Sequence, residues 1–238
     1  MISHDEKVHA IAAQVRALQP GETLSLQKHA VSHTVPNANH ARGSGRRIDA
    51  RSLNEILSID PERKLCVAEP GVTFTELVKE TLRHNLVPFC VPELKTITIG
   101  GAVSGCSIES MSYKYGGFHD SCTEYEVITG NGEVITCSPA ERPEVFEMMH
   151  GSFGTLGIIS KLTFKLTEAK PFVHLTFERY GTLAEYAAAI RAHYEKRDAD
   201  FVDGIIHARD NFTLCVGNFT ESAPYRHSYE CGMPYYKA

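Results

Sequence analysis

The sequence lacks the features that mark several classes of protein. It has no long run of lysine and arginine, and its 24 basic and 29 acidic residues give a formal charge of −5. A nucleic-acid partner is not expected, because phosphate backbones are bound by concentrated basic surfaces. No apolar run approaches the roughly 20 residues of a membrane span. The polar first ten residues also lack the apolar core of a signal peptide.

Closely spaced cysteines are also missing. The seven cysteines lie far apart, and none forms a C-x-x-C pair. Zinc ribbons and small disulfide scaffolds need tighter or paired spacing. We interpret the cysteines as reduced, mostly buried thiols, and predict a cytoplasmic protein with no metal site.

The spacing of apolar residues predicts a mixed α+β chain. Helices are expected over residues 5–18, 73–84 and 142–150. Thr73 and Glu76 have the spacing of a capping box, which places a helix start at Thr73. Two short strands are expected near residues 55–59 and 64–68. A hairpin is expected around the Gly-Asn-Gly turn at 130–132, because such turns match the twist of paired strands.

The pattern of apolar and polar residues changes after Pro171, where we predict the start of a new αβ unit. We therefore predict a first domain over residues 1–170 and a second over residues 171–238. The last fifteen residues are rich in tyrosine and show no closing element. The second domain is accordingly expected to be truncated, and a partner chain could supply the part beyond it.

Residues 98–110 form the most unusual segment, because nearly all their side chains are small and three are glycine. Glycine permits positive φ values, which can turn several N–H groups toward one point and so cradle a diphosphate. Serine hydroxyls would add donors. The members of this run are Thr98, Ile99, Gly100, Gly101, Ala102, Val103, Ser104, Gly105, Cys106, Ser107, Ile108, Glu109 and Ser110.

A second run of small residues, 151–158, leads into a predicted strand. Two glycine-rich turns in one domain are what a long, two-ended dinucleotide requires. The alternative is that both are tight packing turns. Neither run has the G-K-[S/T] of a P-loop, and no G-x-G-x-x-G opens a helix after a strand.

The segment from residue 91 to residue 110 resembles the flavin-binding segment of vanillyl-alcohol-oxidase-like, PCMH-type FAD domains. The similarity is greatest to the Δ24-sterol reductase family and its bacterial relatives. Further matching pieces are residues 113–116, 154–157 and 201–204, in the family's order. The loose Arg-Gly-Ser-Gly at 42–45 departs from the family's usual first loop.

This resemblance implies an α+β fold of two β-rich subdomains that bind FAD, followed by an incomplete substrate domain. It implies that residues 98–110 contact the FAD diphosphate, and that Gly157 and Ile158 lie near the adenosine end. His29, His33 and His40 lack the neighbours of a covalent attachment motif. We therefore predict non-covalent FAD.

The function implied is an FAD-dependent oxidoreductase that transfers hydride at a carbon–carbon double bond of a small molecule, with NADPH as a possible reductant. An alcohol or sugar oxidase of the same fold, and a non-catalytic FAD-binding fragment or split subunit, remain as alternatives. Proton transfer needs a positioned side chain, but the sequence does not single one out. The candidates near the run are Glu109, Tyr113, Lys114, His119 and Asp120.

Overall fold

The computed structural model describes residues 2–29, 45–94 and 96–226. The helices are α1 (His4–Arg16), α2 (Phe74–Thr81), α3 (Ile99–Ser104), α4 (Ser112–Tyr115), α5 (Pro143–Met149) and α6 (Leu183–Lys196). The strands are β1 (Leu24–Gln27), β2 (Arg46–Asp49), β3 (Ile56–Asp60), β4 (Leu65–Ala68), β5 (Leu86–Pro88), β6 (Cys122–Thr129), β7 (Val134–Cys137), β8 (Gly157–Glu168), β9 (Phe172–Tyr180), β10 (Phe201–Ala208) and β11 (Asn211–Thr220).

These strands form three sheets. β1 and β2 pair in parallel, and β3-β4-β8-β6-β7 form an antiparallel sheet to which β5 adds by pairing with β8. β10-β11-β9 form a separate antiparallel sheet. The long strand β8 is central to the six-stranded sheet, and its alternating pattern buries residues such as Leu162 and Phe164. The main core lies between this sheet and helices α2, α3 and α5.

Local sequence signals account for several element boundaries. Thr73 caps α2 and forms the expected capping box with Glu76. The hairpin between β6 and β7 turns at Gly132, which has a φ of +77°. The predicted helix over 73–84 is an α-helix to Thr81 that continues as a 3-10 turn and ends at Asn85, whose φ is +56°.

Helix α1 packs across β2 and the end of the six-stranded sheet. Its apolar face, including Ile11 and Val15, is buried against Ile48, Ile128 and Ile158. This packing joins the two-stranded and six-stranded sheets. Among the described residues, no helix has both the length and the hydrophobicity needed to cross a membrane.

Candidate cofactor site

Residues 98–110 begin with a short helix rather than a loop. Thr98 caps α3 with its side chain, which accepts a hydrogen bond from the Gly101 N–H at 3.3 Å. The Ile99 N–H donates to the Val72 carbonyl at 2.9 Å, and the Gly100 N–H donates to the Pro70 carbonyl at 3.0 Å. The first amides of the run are therefore already bonded within the protein.

The expected cradle of positive-φ glycines is wrong for this run. Gly100 and Gly101 are helical, and Gly105 has a φ of −109°. Gly100 instead lets α3 approach the chain, because a Cβ atom at this position would lie 2.5 Å from Pro70 Cβ. Close packing against Pro70 thus explains why residue 100 is a glycine. The sequence alone had assigned this glycine to phosphate binding.

The structure brings the two glycine-rich runs into direct contact. The Gly151 N–H donates to the Val103 carbonyl at 3.1 Å, and the Phe153 N–H donates to the Ser104 carbonyl at 3.0 Å. The left-handed residues lie at this junction: Cys106, Gly151, Phe153 and Gly154 have φ values of +50° to +76°. The irregular backbone expected near a ligand is therefore present, but at Cys106 and in the second run rather than at Gly100, Gly101 and Gly105.

The predicted residues at the start of β8 face the core. A Cβ atom on Gly157 would lie 2.8 Å from Val127 Cγ1, and the Ile158 side chain is buried against α1. A cofactor could reach only their main-chain atoms.

The surface beside this junction has the chemistry that a dinucleotide needs. Ser104, Ser107 and Ser110 are half-buried, and their hydroxyls can donate to phosphate oxygens. Ile108 and Phe153 are 70% and 77% exposed, which is unusual for large apolar side chains next to a polar run. Hydroxyl donors beside an exposed apolar rim fit the diphosphate and the ring systems of FAD.

The C-terminal end of the run 98–110 and the residues just after it form hydrogen bonds and an ion pair with residues in and beside the three-stranded sheet. The Val202 N–H donates to the Ser110 carbonyl at 3.0 Å, and Lys114 Nζ lies 3.5 Å from Asp200 Oδ1. The Tyr113 hydroxyl donates to the Ala199 carbonyl. These contacts give Tyr113 and Lys114 structural roles at the seam between the run and β10.

Glu109 lies at the same seam, in a negatively charged setting. Its Oε1 accepts a hydrogen bond from the Glu93 N–H at 3.0 Å. Burial raises the pKa of Glu109, and the carboxylates of Asp203 and Glu93 add to the rise although the Glu93 amide opposes it. Of the other candidates, Asp120 accepts a hydrogen bond from the Gly117 N–H at 2.7 Å, which indicates a role in shaping the turn.

Two histidines lie behind the junction of the runs. The rings of His119 and His150 are 5.0 Å apart, and within the described residues His119 Nδ1 and His150 Nε2 are buried without a hydrogen-bond partner. His150 also directly precedes Gly151. The sequence analysis did not single out His150, because only the fold places it beside His119.

His150 should make the stability of the protein depend on pH. Burial lowers the pKa of His150, and the nearby His119 lowers it further. The folded protein then keeps His150 neutral where the unfolded chain is already protonated, so stability is lost as the pH falls through the usual histidine range. We expect the free energy of unfolding, measured by urea denaturation, to fall from about pH 7 to about pH 5.

His150→Phe should weaken this pH dependence, since phenylalanine fits beside the ring of Phe146 and does not titrate. His9→Gln is the matched control, because His9 is exposed on α1. An unchanged pH dependence in His150→Phe would contradict the assignment.

Comparison with known proteins shows which class of protein has this arrangement. Residues 30–138 match the family described as "FAD binding domain". The fold matches 6-hydroxy-D-nicotine oxidase from Arthrobacter nicotinovorans, with a TM-score of 0.64 and 22% identity, over 92% of this chain and 49% of that one. The predicted α+β PCMH fold is confirmed.

Curated relatives include the Δ24-sterol reductases. The human protein is 30% identical over 172 residues, which are 72% of this chain and 33% of the reductase. The Pisum sativum protein is 30% identical over 230 residues, which are 91% of this chain and 41% of the reductase. The chain thus spans between a third and about two fifths of the length of these relatives.

A cytokinin dehydrogenase from Oryza sativa subsp. japonica is a further relative, at 24% identity over 84% of this chain and 41% of that protein. The chain therefore carries an FAD-binding domain of the PCMH type and is a distant relative of the Δ24-sterol reductases. Arg42, Gly43, Ser44, His33 and His40, which the sequence placed in the first FAD loop, lie outside the described residues.

Proposed function

We propose that this chain is the FAD-binding part of an oxidoreductase that reduces a carbon–carbon double bond, with NADPH as the reductant. The observation that carries the proposal is the junction of the two glycine-rich runs, which lies within a chain related to Δ24-sterol reductases over 72% to 91% of its length. Bound FAD supplies hydride transfer, and the protein supplies binding, orientation and a proton.

The run would bind the cofactor through its second half. The hydroxyls of Ser104, Ser107 and Ser110 would donate to the diphosphate, and Gly157 and Ile158 would offer main-chain atoms toward the adenosine end. The exposed Ile108 and Phe153 would contact apolar ring surface and exclude water from it.

The substrate would lie between residue 109 and the three-stranded sheet. Phe177, Cys215 and Asp203 are register partners across β9, β11 and β10, so their side chains share one face of this sheet. Phe177 is 55% exposed, which favours an apolar small molecule. The carboxylate of Asp203 adds to the raised pKa of Glu109, which supports a substrate position between this face and the run.

Reduction of an alkene requires one proton in addition to the hydride. We assign this proton to the carboxyl group of Glu109. Burial raises the pKa of Glu109, so its carboxyl group holds a proton more readily than an exposed glutamic acid does. After donation, solvent protons would restore the acid.

The cofactor is proposed to be non-covalent. Cys66, Cys90, Cys122, Cys137 and Cys215 are buried free thiols, and burial raises the pKa of each, to about 11 or 12. Such thiols are poor nucleophiles. Acid denaturation should therefore release all the flavin into the supernatant; flavin that stays with the precipitated protein would contradict this part of the proposal.

The proposed function is tested by flavin absorbance of the purified protein, followed by anaerobic titration with NADPH. We expect a yellow protein whose flavin is bleached by NADPH and reoxidised by a Δ24-sterol. A protein that stays colourless after reconstitution with FAD would count against the proposal.

An alcohol or sugar oxidase is the second candidate. The similarity to a cytokinin dehydrogenase favours a reaction in which the flavin is reduced by an organic substrate rather than by NADPH. Bleaching of the flavin by candidate alcohols, but not by NADPH, would support this function. Flavin that is bound but reduced by neither would support a unit that needs a partner chain for turnover.

A further inference from the structure

An ionic network that is largely buried holds the first turns of α1 on the six-stranded sheet. We call it the α1 network. Its members are His4 and Lys7 on α1, Glu55 before β3, Glu69 after β4, Glu126 on β6 and Lys161 on β8. The function proposed above uses none of these residues.

His4 bridges two carboxylates. Its Nδ1 lies 2.8 Å from Glu69 Oε1, and its Nε2 lies 2.9 Å from Glu126 Oε1. Ionised carboxylates only accept hydrogen bonds, so both ring nitrogens must donate. The ring does this only when it carries two protons, which makes this contact between α1 and the sheet depend on a protonated His4.

The charges of the network agree with this reading. Glu55, Glu69 and Glu126 supply three negative charges, and Lys7 and Lys161 supply two positive ones. A protonated His4 completes the balance, which matters because unpaired buried charge is costly. Despite the opposing effect of burial, hydrogen bonds from Ser160, His4 and Lys161 lower the pKa of Glu126.

The network is directly connected to the candidate cofactor site. Glu69 is completely buried and immediately precedes Pro70, whose carbonyl accepts the Gly100 N–H at the start of α3. Helix α1 also packs on β2, where the Asp49 N–H donates to Gln14 Oε1 at 2.9 Å. β2 lies within residues 30–138, the segment that matches the FAD-binding domain.

We propose that His4 is a proton-dependent latch: its protonated ring fastens α1 to Glu69 and Glu126, and loss of a proton releases this contact and weakens FAD binding. A neutral ring must turn one unprotonated nitrogen toward a carboxylate oxygen, so one of the two hydrogen bonds is lost. The Glu69–Pro70 segment then loses part of its support, and α3 loses the fixed contact that positions the cofactor run.

The latch is tested by measuring the dissociation constant of FAD, from the change in flavin fluorescence, across the histidine range of about pH 5 to 8. We expect the dissociation constant to rise about tenfold toward the alkaline end, a typical size for coupling between two sites. His4→Gln should bind FAD weakly at every pH, with no such rise. His9→Gln should behave as the unmodified protein, because His9 lies on the same helix and bonds only the Asp5 carbonyl.

The thermal unfolding midpoint of the apoprotein, followed over the same pH range, tests the latch without the cofactor. His150→Phe serves as the background, since it removes the opposite pH dependence expected of His150. In this background the midpoint should fall toward alkaline pH, and less so when His4→Gln is added. Glu126→Gln repeats the test from the sheet side in case His4→Gln does not fold. An alkaline rise of the FAD dissociation constant, or an alkaline fall of the midpoint, that survives in either variant overturns the latch. Because neither readout involves turnover, the result is independent of the reaction proposed above.

Discussion

Gly100→Ala is expected to destabilise the protein by about 1–3 kcal/mol and to weaken FAD binding, which would be the largest effect of a single added methyl group in the run. The added Cβ atom would lie 2.5 Å from Pro70 Cβ and 3.1 Å from the Pro70 carbonyl oxygen. Backbone atoms cannot move aside as a flexible side-chain end can. α3 would therefore shift away from Pro70 and carry the following residues with it.

Gly101→Ala is the matched control, one residue further along the same helix. Its Cβ atom would meet only the Thr98 hydroxyl, at 3.2 Å. Alanine also favours a helix over glycine by up to about 1 kcal/mol. Urea denaturation should thus find Gly101→Ala as stable as the unmodified protein. Equal stabilities for the two alanine variants would refute the packing role of Gly100.

Glu69→Ala should lower the free energy of unfolding by about 3–5 kcal/mol, because it leaves the buried charges of α1 without their main partner. Glu69 accepts hydrogen bonds from Lys7 Nζ at 3.1 and 3.2 Å, from His4, and from the Glu55 N–H at 2.8 Å. Solvent water cannot take over the role of this carboxylate as partner of Lys7 and His4, since the Glu69 side chain is completely buried.

Glu55→Ala provides the comparison within the same ion-pair network. Glu55 Oε1 contacts the same lysine at 3.0 Å, but 47% of its side chain is exposed. An exposed partner contributes no more than about 1 kcal/mol. In chemical denaturation, Glu69→Ala should lose much more unfolding free energy than Glu55→Ala. Similar losses in the two variants would show that burial does not decide the strength of this network.

Much of the fold could be predicted from local patterns. The apolar stripe of α1 is visible in the spacing of its residues, and the capping box at Thr73 and the turn at Gly132 use contacts within a few residues, so local sequence is enough to predict them. The same holds for the alternating pattern of β8, the central strand of its sheet.

The geometry of the cofactor run could not be predicted in this way. Glycine, serine, threonine and valine have low helix propensity, so the segment reads as a loop. In the structure, the carbonyls of Pro70 and Val72 accept the first free amides of α3, and these partners lie about thirty residues away. A long-range contact therefore decides the conformation that local preference leaves open.

By itself, the sequence determined most of the helices and strands, that residues 98–110 are special, and that the chain resembles PCMH-type FAD domains. These depend on side-chain size, polarity and spacing, which are local. Only the tertiary structure decided that the two glycine-rich runs touch, that Gly100 packs on Pro70, and that His4 joins two carboxylates from distant strands. Such contacts depend on which segments the sheets bring together, because burial and charge pairing act between residues that are far apart along the chain.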